Sequence, residues 1–168
     1  IYNSKRGSTD CKIVELGRAY KKTSKTGVEE KTYISGLISG YKEKILWSEK
    51  PRPVSFFDLK GHLEAVYSFY TQPIEFKKGS HPFLHPGKTA NINLKSKKNT
   101  IGVIGSLNPK ISERYDLKED IYLFEILAES LEKDISKRFK DFSRQPSIHR
   151  DLSFVVDNQL ESSKLIRL

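Results

Sequence analysis

The stretch 81–90, HPFLHPGKTA, holds residues that could do chemistry: two histidines and a Gly-Lys-Thr run. A phosphate-binding loop has the pattern Gly-x-x-x-x-Gly-Lys-Ser/Thr between a strand and a helix. Here the first glycine position is Pro82, which has no N–H to offer a phosphate. The residues that follow, ANINLK, alternate as in a strand rather than a helix. The pattern therefore does not favour a phosphate loop.

The two histidines of this stretch, His81 and His85, have the spacing of zinc ligands on one helix face. Pro82 and Pro86 argue against a helix there. No Cys or carboxylate lies nearby to complete a tetrahedral set. We therefore interpret the stretch as a Pro/Gly corner leading into a strand, where Lys88 could contact an anion.

Other candidate groups are isolated in the sequence. Asp58 and His62 lie four apart on a predicted helix, the usual spacing of a surface pair. Cys11 has no histidine near it in sequence, so a structural thiol is the common case. The sequence contains no Gly-x-Ser-x-Gly nucleophile elbow. Residue chemistry alone predicts no catalytic, cofactor-binding or metal-binding residue.

Composition indicates a globular protein of one domain, or one domain and part of a second: 168 residues, 36% hydrophobic and 11% aromatic. The single cysteine excludes an internal disulfide framework and suits a reducing compartment. No apolar run reaches the roughly 20 residues that span a bilayer. The chain contains no Met and its start lacks a signal-peptide pattern, so we expect a piece of a longer protein.

The chain is basic, with 30 Lys and Arg against 21 Asp and Glu and a net charge of +9. Between Glu75 and Glu113 there are seven lysines and no acidic residue: 77, 78, 88, 95, 97, 98 and 110. This block is typical of a surface that meets a polyanion or an acidic protein. A solvated lysine-rich face is the alternative, because lysine without arginine is a weak nucleic-acid signal.

The apolar pattern predicts an α+β fold, an antiparallel sheet with flanking helices. Strands are predicted at 11–20 and 31–40, joined by a polar link into a hairpin with a mobile loop. Further strands are predicted at 73–77, 90–95, 100–107 and 120–127. A helix is predicted over 55–70, where Ser55 and Asp58 have capping-box spacing. Its predicted apolar face comprises Phe56, Leu59, Leu63, Val66 and Tyr70.

A short helix is predicted over 108–117, and another turn or two over 128–136.

The residues after these helices are predicted to open a second domain. Residues 140–147 have the composition of a linker, and 148–157 alternate as a strand. The chain then ends in NQLESSKLIRL (158–168), which is predicted to be a nascent helix. One strand and one nascent helix cannot form a core, so a second domain is expected to be truncated.

Five blocks occur in a fixed order along the chain: NSKRGSTDCKIVELGRAY (3–20), VSFFDLKGHLEAV (54–66), LHPGKTANI (84–92), IGVIGSLNPKISERYDL (101–117) and FSRQPSIHRDLSFVVD (142–157). Together they resemble the β subunit of bacterial-type phenylalanyl-tRNA synthetase, over essentially the whole chain. Three positions depart from the family pattern: Asn108 replaces a frequent His, Lys88 replaces Arg, and His149 stands where the first Arg is usual.

The resemblance implies a class II aminoacyl-tRNA synthetase core-like module that has lost catalysis, over residues 1–137. Residues 138–168 would be a linker and the first strand and helix of a ferredoxin-like anticodon-binding domain. The family is a ligase in which an α subunit uses ATP and Mg²⁺ to attach phenylalanine to tRNA(Phe), within an (αβ)₂ heterotetramer. A cytoplasmic location and no membrane partner are implied. No cofactor is expected on this segment.

The resemblance also suggests a few site residues. Arg18, at the end of a strand, and Lys88 are possible vestigial core or interface positions. A surface or interface arginine is the alternative for Arg18. No Gly-x-Gly-x-x-Arg run supplies a second nucleotide-binding arginine. Without a paired cationic clamp, charge developing on a phosphate would not be stabilised.

Contact with tRNA is expected at Arg144 and Arg150. The alternative is a salt bridge from these arginines to Asp141 or Asp151.

Three functions are open from the sequence. The first is a non-catalytic scaffold that exposes an apolar patch to its partner subunit. The second is a free-standing basic RNA-binding module, and the third is an independent enzyme supported only by Arg18 and Lys88.

Overall fold

A computed structural model describes residues 6–7, 10–23, 27–42, 51–70, 72–96, 99–131, 148, 150–157 and 160. The chain divides into two compact units, Ile1–Lys137 and Arg138–Leu168. All helices and strands of the described residues lie in the first unit. Among the described residues, no helix is both long enough and apolar enough to cross a membrane.

The first unit is built on a six-stranded sheet in the spatial order β1-β2-β6-β5-β4-β3. Every neighbouring pair in it is antiparallel. The strands are β1 (Cys11–Thr23), β2 (Gly27–Ser39), β3 (Ile74–Lys78), β4 (Leu84–Leu94), β5 (Thr100–Leu107) and β6 (Ile121–Leu127). The helices are α1 (Phe56–Phe69) and α2 (Pro109–Arg114), and a 3₁₀ turn covers Ala128–Leu131. The predicted α+β architecture with an antiparallel sheet is therefore confirmed.

The β1–β2 hairpin is longer than the sequence predicted, because the polar segment 21–30 is largely strand and not loop. Both strands have 13 residues. The polar residues pair across the hairpin, with Lys21 opposite Glu29. Opposite charges at such positions stabilise a ladder. Gly27, where β2 begins, has a φ of 82°, which only glycine adopts readily.

Helix α1 packs its apolar face on β5 and β6. Leu59 and Leu63 are buried as predicted, but Val66 is 40% exposed and Tyr67 is 1% exposed. The predicted face was therefore wrong by one residue at its C-terminal end. Tyr67 can be buried because its hydroxyl lies 2.6 Å from the Ser130 hydroxyl, within the 3₁₀ turn.

Strand β4 begins earlier than predicted, so part of the Pro/Gly corner is itself strand. The pairing of β4 with β5 shifts register between Leu84 and Thr89, which marks a bulge. Pro86 lies within this irregular stretch, where the loss of an N–H donor is tolerated. Strand β5 has the predicted bounds. Helix α2 is shorter than predicted, and Asn108 caps it by accepting a hydrogen bond from the Lys110 N–H at 3.1 Å.

In the second unit, the predicted strand at 148–157 is not formed in the described residues. Extended segments become strands only when a neighbour supplies the ladder, and no described strand pairs with this one. Its apolar side chains, including Leu152 and Phe154, are exposed. The predicted linker 140–147 and the helix expected at the C-terminal end lie outside the described residues, apart from residue 160.

Candidate partner and nucleic-acid interfaces

Arg18 lies on β1, which is an edge strand of the sheet. Its guanidinium forms an ion pair with Glu30 of β2, at 3.1 Å between Nη1 and Oε1. The Arg18 and Glu30 side chains are 67% and 46% exposed. The arginine is therefore held by its own hairpin at the rim of the sheet.

Lys88 lies on β4 and is exposed. It borders an open cavity of about 590 Å³ that is also lined by His85, Ser106, Asp116 and Asp120. Acidic and basic groups are mixed along this wall, so the cavity offers no single sign of charge.

Arg18 and Lys88 are not brought together by the fold. Their strands, β1 and β4, are separated by four strand spacings in the sheet. At about 4.8 Å per spacing this is about 19 Å. The two side chains therefore cannot hold one phosphate group between them.

The His-Pro-Gly-Lys stretch uses its own polar groups for internal hydrogen bonds. The His85 Nδ1 accepts the Gly87 N–H at 2.9 Å. The Thr89 hydroxyl donates to the His85 carbonyl at 2.6 Å. Within the described ranges, no group of three or more His, Cys, Asp or Glu side chains could hold a metal ion. The stretch functions as a structural element of β4.

The lysine block does not form one surface in the described residues. Lys77 forms an ion pair with Glu75 at 2.7 Å. Lys78 pairs with Ala90, whereas Lys95 follows Leu94 at the other end of the β3–β4 ladder. That ladder separates these two lysines by about 14 Å or more along the strands. Among the described lysines of the block, the positive charge is therefore distributed along the strands.

Of the two arginines expected to contact tRNA, Arg150 is described and exposed. No ion pair joins it to Asp151, although both residues lie in the described part of the second unit. Arg144 and its alternative partner Asp141 lie outside the described residues.

An exposed apolar surface on the β1–β2 hairpin is the main feature that residue-by-residue sequence reasoning missed. It consists of Val14, Leu16, Tyr20 and Val28, which are 71, 69, 63 and 61% exposed. We call these four residues the hairpin patch. The sequence could have predicted this patch, because the apolar residues at even-numbered positions of β1 share one face of the strand.

The hairpin patch continues the face of the sheet that carries the core. Leu16 is paired with Ile34, and Ile34 with Ile126, along neighbouring strands. Ile126 is buried in the core and Ile34 packs against it. Cross-strand partners point to the same face of a sheet, so the patch is an uncovered extension of the helix-covered side.

Comparison with known proteins places this fold in a family. The family described as the phenylalanyl tRNA synthetase beta chain CLM domain matches residues 1–128. The chain is 38% identical, over its whole length, to a phenylalanine–tRNA ligase beta subunit of Legionella pneumophila (strain Lens), of which it covers 21%. It is 32% identical to the beta subunit of Wigglesworthia glossinidia brevipalpis, again over all of this chain and 21% of the relative.

A third relative, the phenylalanine–tRNA ligase beta subunit of Idiomarina loihiensis, is 35% identical over 98% of this chain and 21% of its own length. The chain thus spans about a fifth of the curated relatives that it matches. These relatives are subunits of a ligase. Because the family match covers most of the chain, the protein belongs to the phenylalanyl-tRNA synthetase β chain family, through its CLM domain.

Proposed function

We propose that this chain is a non-catalytic scaffold segment of a phenylalanine–tRNA ligase β subunit. The whole enzyme would attach phenylalanine to tRNA(Phe) with ATP and Mg²⁺, in the cytoplasm, as an (αβ)₂ heterotetramer. The family match over residues 1–128 and the names of the relatives support this proposal. In this proposal the first unit is the class II core-like module, and the second opens a ferredoxin-like anticodon-binding domain.

One observation carries the non-catalytic role: the candidate cations are dispersed over the sheet. Arg18 is neutralised by Glu30 within its hairpin. Lys88 lies four strands away. A nucleotide site needs cations converging on one phosphate, since electrostatic stabilisation of developing charge is usually the largest catalytic effect.

The described residues fit neither a nucleotide nor Mg²⁺. Magnesium sites use one or two carboxylates together with substrate phosphates. The cavity beside Lys88 is also lined by Lys118 and by four carboxylates, those of Glu113, Asp116, Glu119 and Asp120. Because its carboxylates outnumber its lysines, this cavity does not suit the negative charge of a nucleotide's phosphates, and the proposal assigns ATP and Mg²⁺ to the partner subunit.

The scaffold itself is a rigid platform. Six strands and α1 bury a continuous apolar core that includes Leu63, Ile92, Ile104 and Ile126. The expected tRNA contacts, Arg144 and Arg150, belong to the second unit of the chain.

The proposal is tested with the full-length β chain and its α partner. Removing both cations, in an Arg18→Ala/Lys88→Ala double variant, should leave phenylalanine-dependent ATP–pyrophosphate exchange within about twofold of wild type. Loss of a group that stabilises transition-state charge costs about 10²–10³-fold. A fall of that size in the assembled enzyme, or exchange catalysed by the β chain alone, would contradict the scaffold role.

A further inference from the structure

We propose that the hairpin patch and the free edge of β1 dock a strand-forming, acidic segment of the partner subunit. This inference rests on the scaffold function proposed above and names the surface through which the subunits meet. It is carried by three observations on the hairpin: an uncovered apolar face, an open sheet edge and an excess of positive charge.

The apolar side chains of the hairpin patch are unusually open to water for residues on the core-bearing face of a sheet. All four patch side chains are more than half exposed, although they continue the face on which the core lies. Arg18 lies between Leu16 and Tyr20 on this face, so the patch is an apolar row interrupted by one cation. Exposed apolar side chains that cluster on one face are typical of an interaction site. Neither α1 nor the 3₁₀ turn extends over these residues, since all four remain open.

The edge of β1 is open as well. β1 is the outermost strand and pairs only with β2 among the described strands. It presents 13 residues of extended backbone. The opposite edge, β3, has only five residues, including the Glu75–Lys77 ion pair. A very short edge resists strand addition, whereas a long edge offers enough backbone to accept a strand.

The charge of β1 indicates that its partner segment is acidic. β1 contains four cations, Lys12, Arg18, Lys21 and Lys22, and one carboxylate, Glu15. Of the cations, Arg18 is paired with Glu30, while the Lys12 ammonium donates to a backbone carbonyl. The strand therefore keeps a positive excess along its apolar row.

The same charge disfavours a second copy of this chain as the occupant. An isologous pairing of β1 with β1 would place one cation-rich strand directly against another, and like charges facing each other across strands are destabilising. A strand of another chain, with apolar residues on one face and Asp or Glu at its ends, would meet all three requirements. It would hydrogen-bond the open edge of β1, cover the hairpin patch and balance the positive charge.

The experiment compares two single substitutions on opposite faces of β1, in the full-length β chain with its α partner. Leu16→Glu places a charge in the hairpin patch. Ile13→Glu is the matched control, because Ile13 is also more than half exposed but lies on the other face of the strand. We expect Leu16→Glu to weaken the α–β association by about tenfold or more, and Ile13→Glu to leave it within about twofold.

A charge variant tests the chemistry of the occupant. Lys12→Glu/Lys22→Glu should also weaken the association, and the wild-type association should weaken as salt rises because screening reduces the attraction. Unfolding midpoints of each variant β chain alone should match wild type, since the altered side chains are exposed.

The possible outcomes separate the two proposals. If wild-type β does not bind α at all, the scaffold function fails. If wild type binds α and Leu16→Glu binds equally well, the docking inference alone is overturned. If Leu16→Glu lowers the unfolding midpoint of the β chain in the absence of α, the hairpin patch is covered by another part of the same chain. If the wild-type β chain self-associates and Leu16→Glu abolishes this, the patch is covered by a second copy of the chain. Either result overturns the inference.

Discussion

The carboxylate of Asp58 organises the start of α1. Its Oδ2 accepts hydrogen bonds from the Ser55 N–H at 2.8 Å and the Ser55 hydroxyl at 2.6 Å. The Arg52 guanidinium adds a bidentate contact, at 2.7 and 2.9 Å. The Arg52 hydrogen bonds, and then those from Ser55, hold the pKa of this carboxyl well below its usual value. The capping box predicted from the spacing of Ser55 and Asp58 is therefore confirmed, but its arginine was not predicted.

We expect Asp58→Asn to lower the free energy of unfolding of the chain at pH 7 by about 1–3 kcal/mol, because a charged cap and its arginine partner are lost. A carboxyl with a depressed folded-state pKa stabilises the fold above its unfolded pKa, and this contribution disappears as pH falls through the folded value. The difference between wild type and Asp58→Asn should therefore shrink below about pH 4. Urea unfolding at pH 7 and pH 3 measures it.

The matched control is Glu64→Gln on the same helix. Glu64 forms an exposed i,i+4 pair with Lys60 at 3.3 Å. Such pairs contribute about 0.3–0.5 kcal/mol. A loss on Glu64→Gln as large as that on Asp58→Asn, or a difference for Asp58→Asn that stays constant into acid, would contradict the assignment of the cap.

At the scale of the strands, close backbone approach within the sheet depends on glycine. A Cβ at Gly102 of β5 would clash with the Glu125 carbonyl and lie 2.8 Å from the Ile126 Cα. Gly61 of α1 has no such neighbour within 4 Å. We expect Gly102→Ala to lower the free energy of unfolding by about 1–3 kcal/mol. Gly61→Ala should raise it by about 0.4–1 kcal/mol, since the unfolded chain loses freedom.

Denaturant unfolding of both variants checks this contrast. The two substitutions add the same methyl group, so their opposite signs report the surroundings alone. A neutral Gly102→Ala would mean that β5 and β6 can separate without cost, and a destabilising Gly61→Ala would show an undescribed contact at the helix surface.

The elements that the sequence predicted well are those whose apolar period is long and whose ends carry capping or turn residues. α1 is the clearest example, because Ser55 begins it and Leu59 and Leu63 lie at helical spacing on its buried side. β5 was also predicted with the bounds that it has. The tip of the β1–β2 hairpin was predicted as loop, because its residues are polar. It is strand because polar residues pair across the two strands, with Lys21 opposite Glu29. Tyr67 was missed because its burial requires Ser130, a hydrogen-bond partner 63 positions away.

At the scale of the whole molecule, the two edges of the sheet have different roles. The β3 edge is short, whereas the β1 edge is long and carries both the hairpin patch and an excess of cations. The sequence indicated that an apolar patch would face a partner, but not which strand would carry it. That depends on sheet order: β6 pairs with one side of β2 and leaves β1 as the edge strand on the other side. Sheet order is set by long-range pairing, which local sequence patterns do not encode.

The second unit carries the last prediction, on tRNA contact. Arg150 is exposed and not paired with Asp151, so its charge is available to a phosphate. In the assembled enzyme, Arg150→Ala should weaken tRNA binding and reduce the slope of log affinity against log salt by about 0.7–0.9, the change for one phosphate contact. Lys77→Ala is the control, because Lys77 is paired with Glu75 in the first unit. Titrations at several salt concentrations measure both slopes. An unchanged slope for Arg150→Ala, or an equal change for Lys77→Ala, would remove Arg150 from the RNA surface, because counterion release depends on the charge that meets a phosphate rather than on net charge.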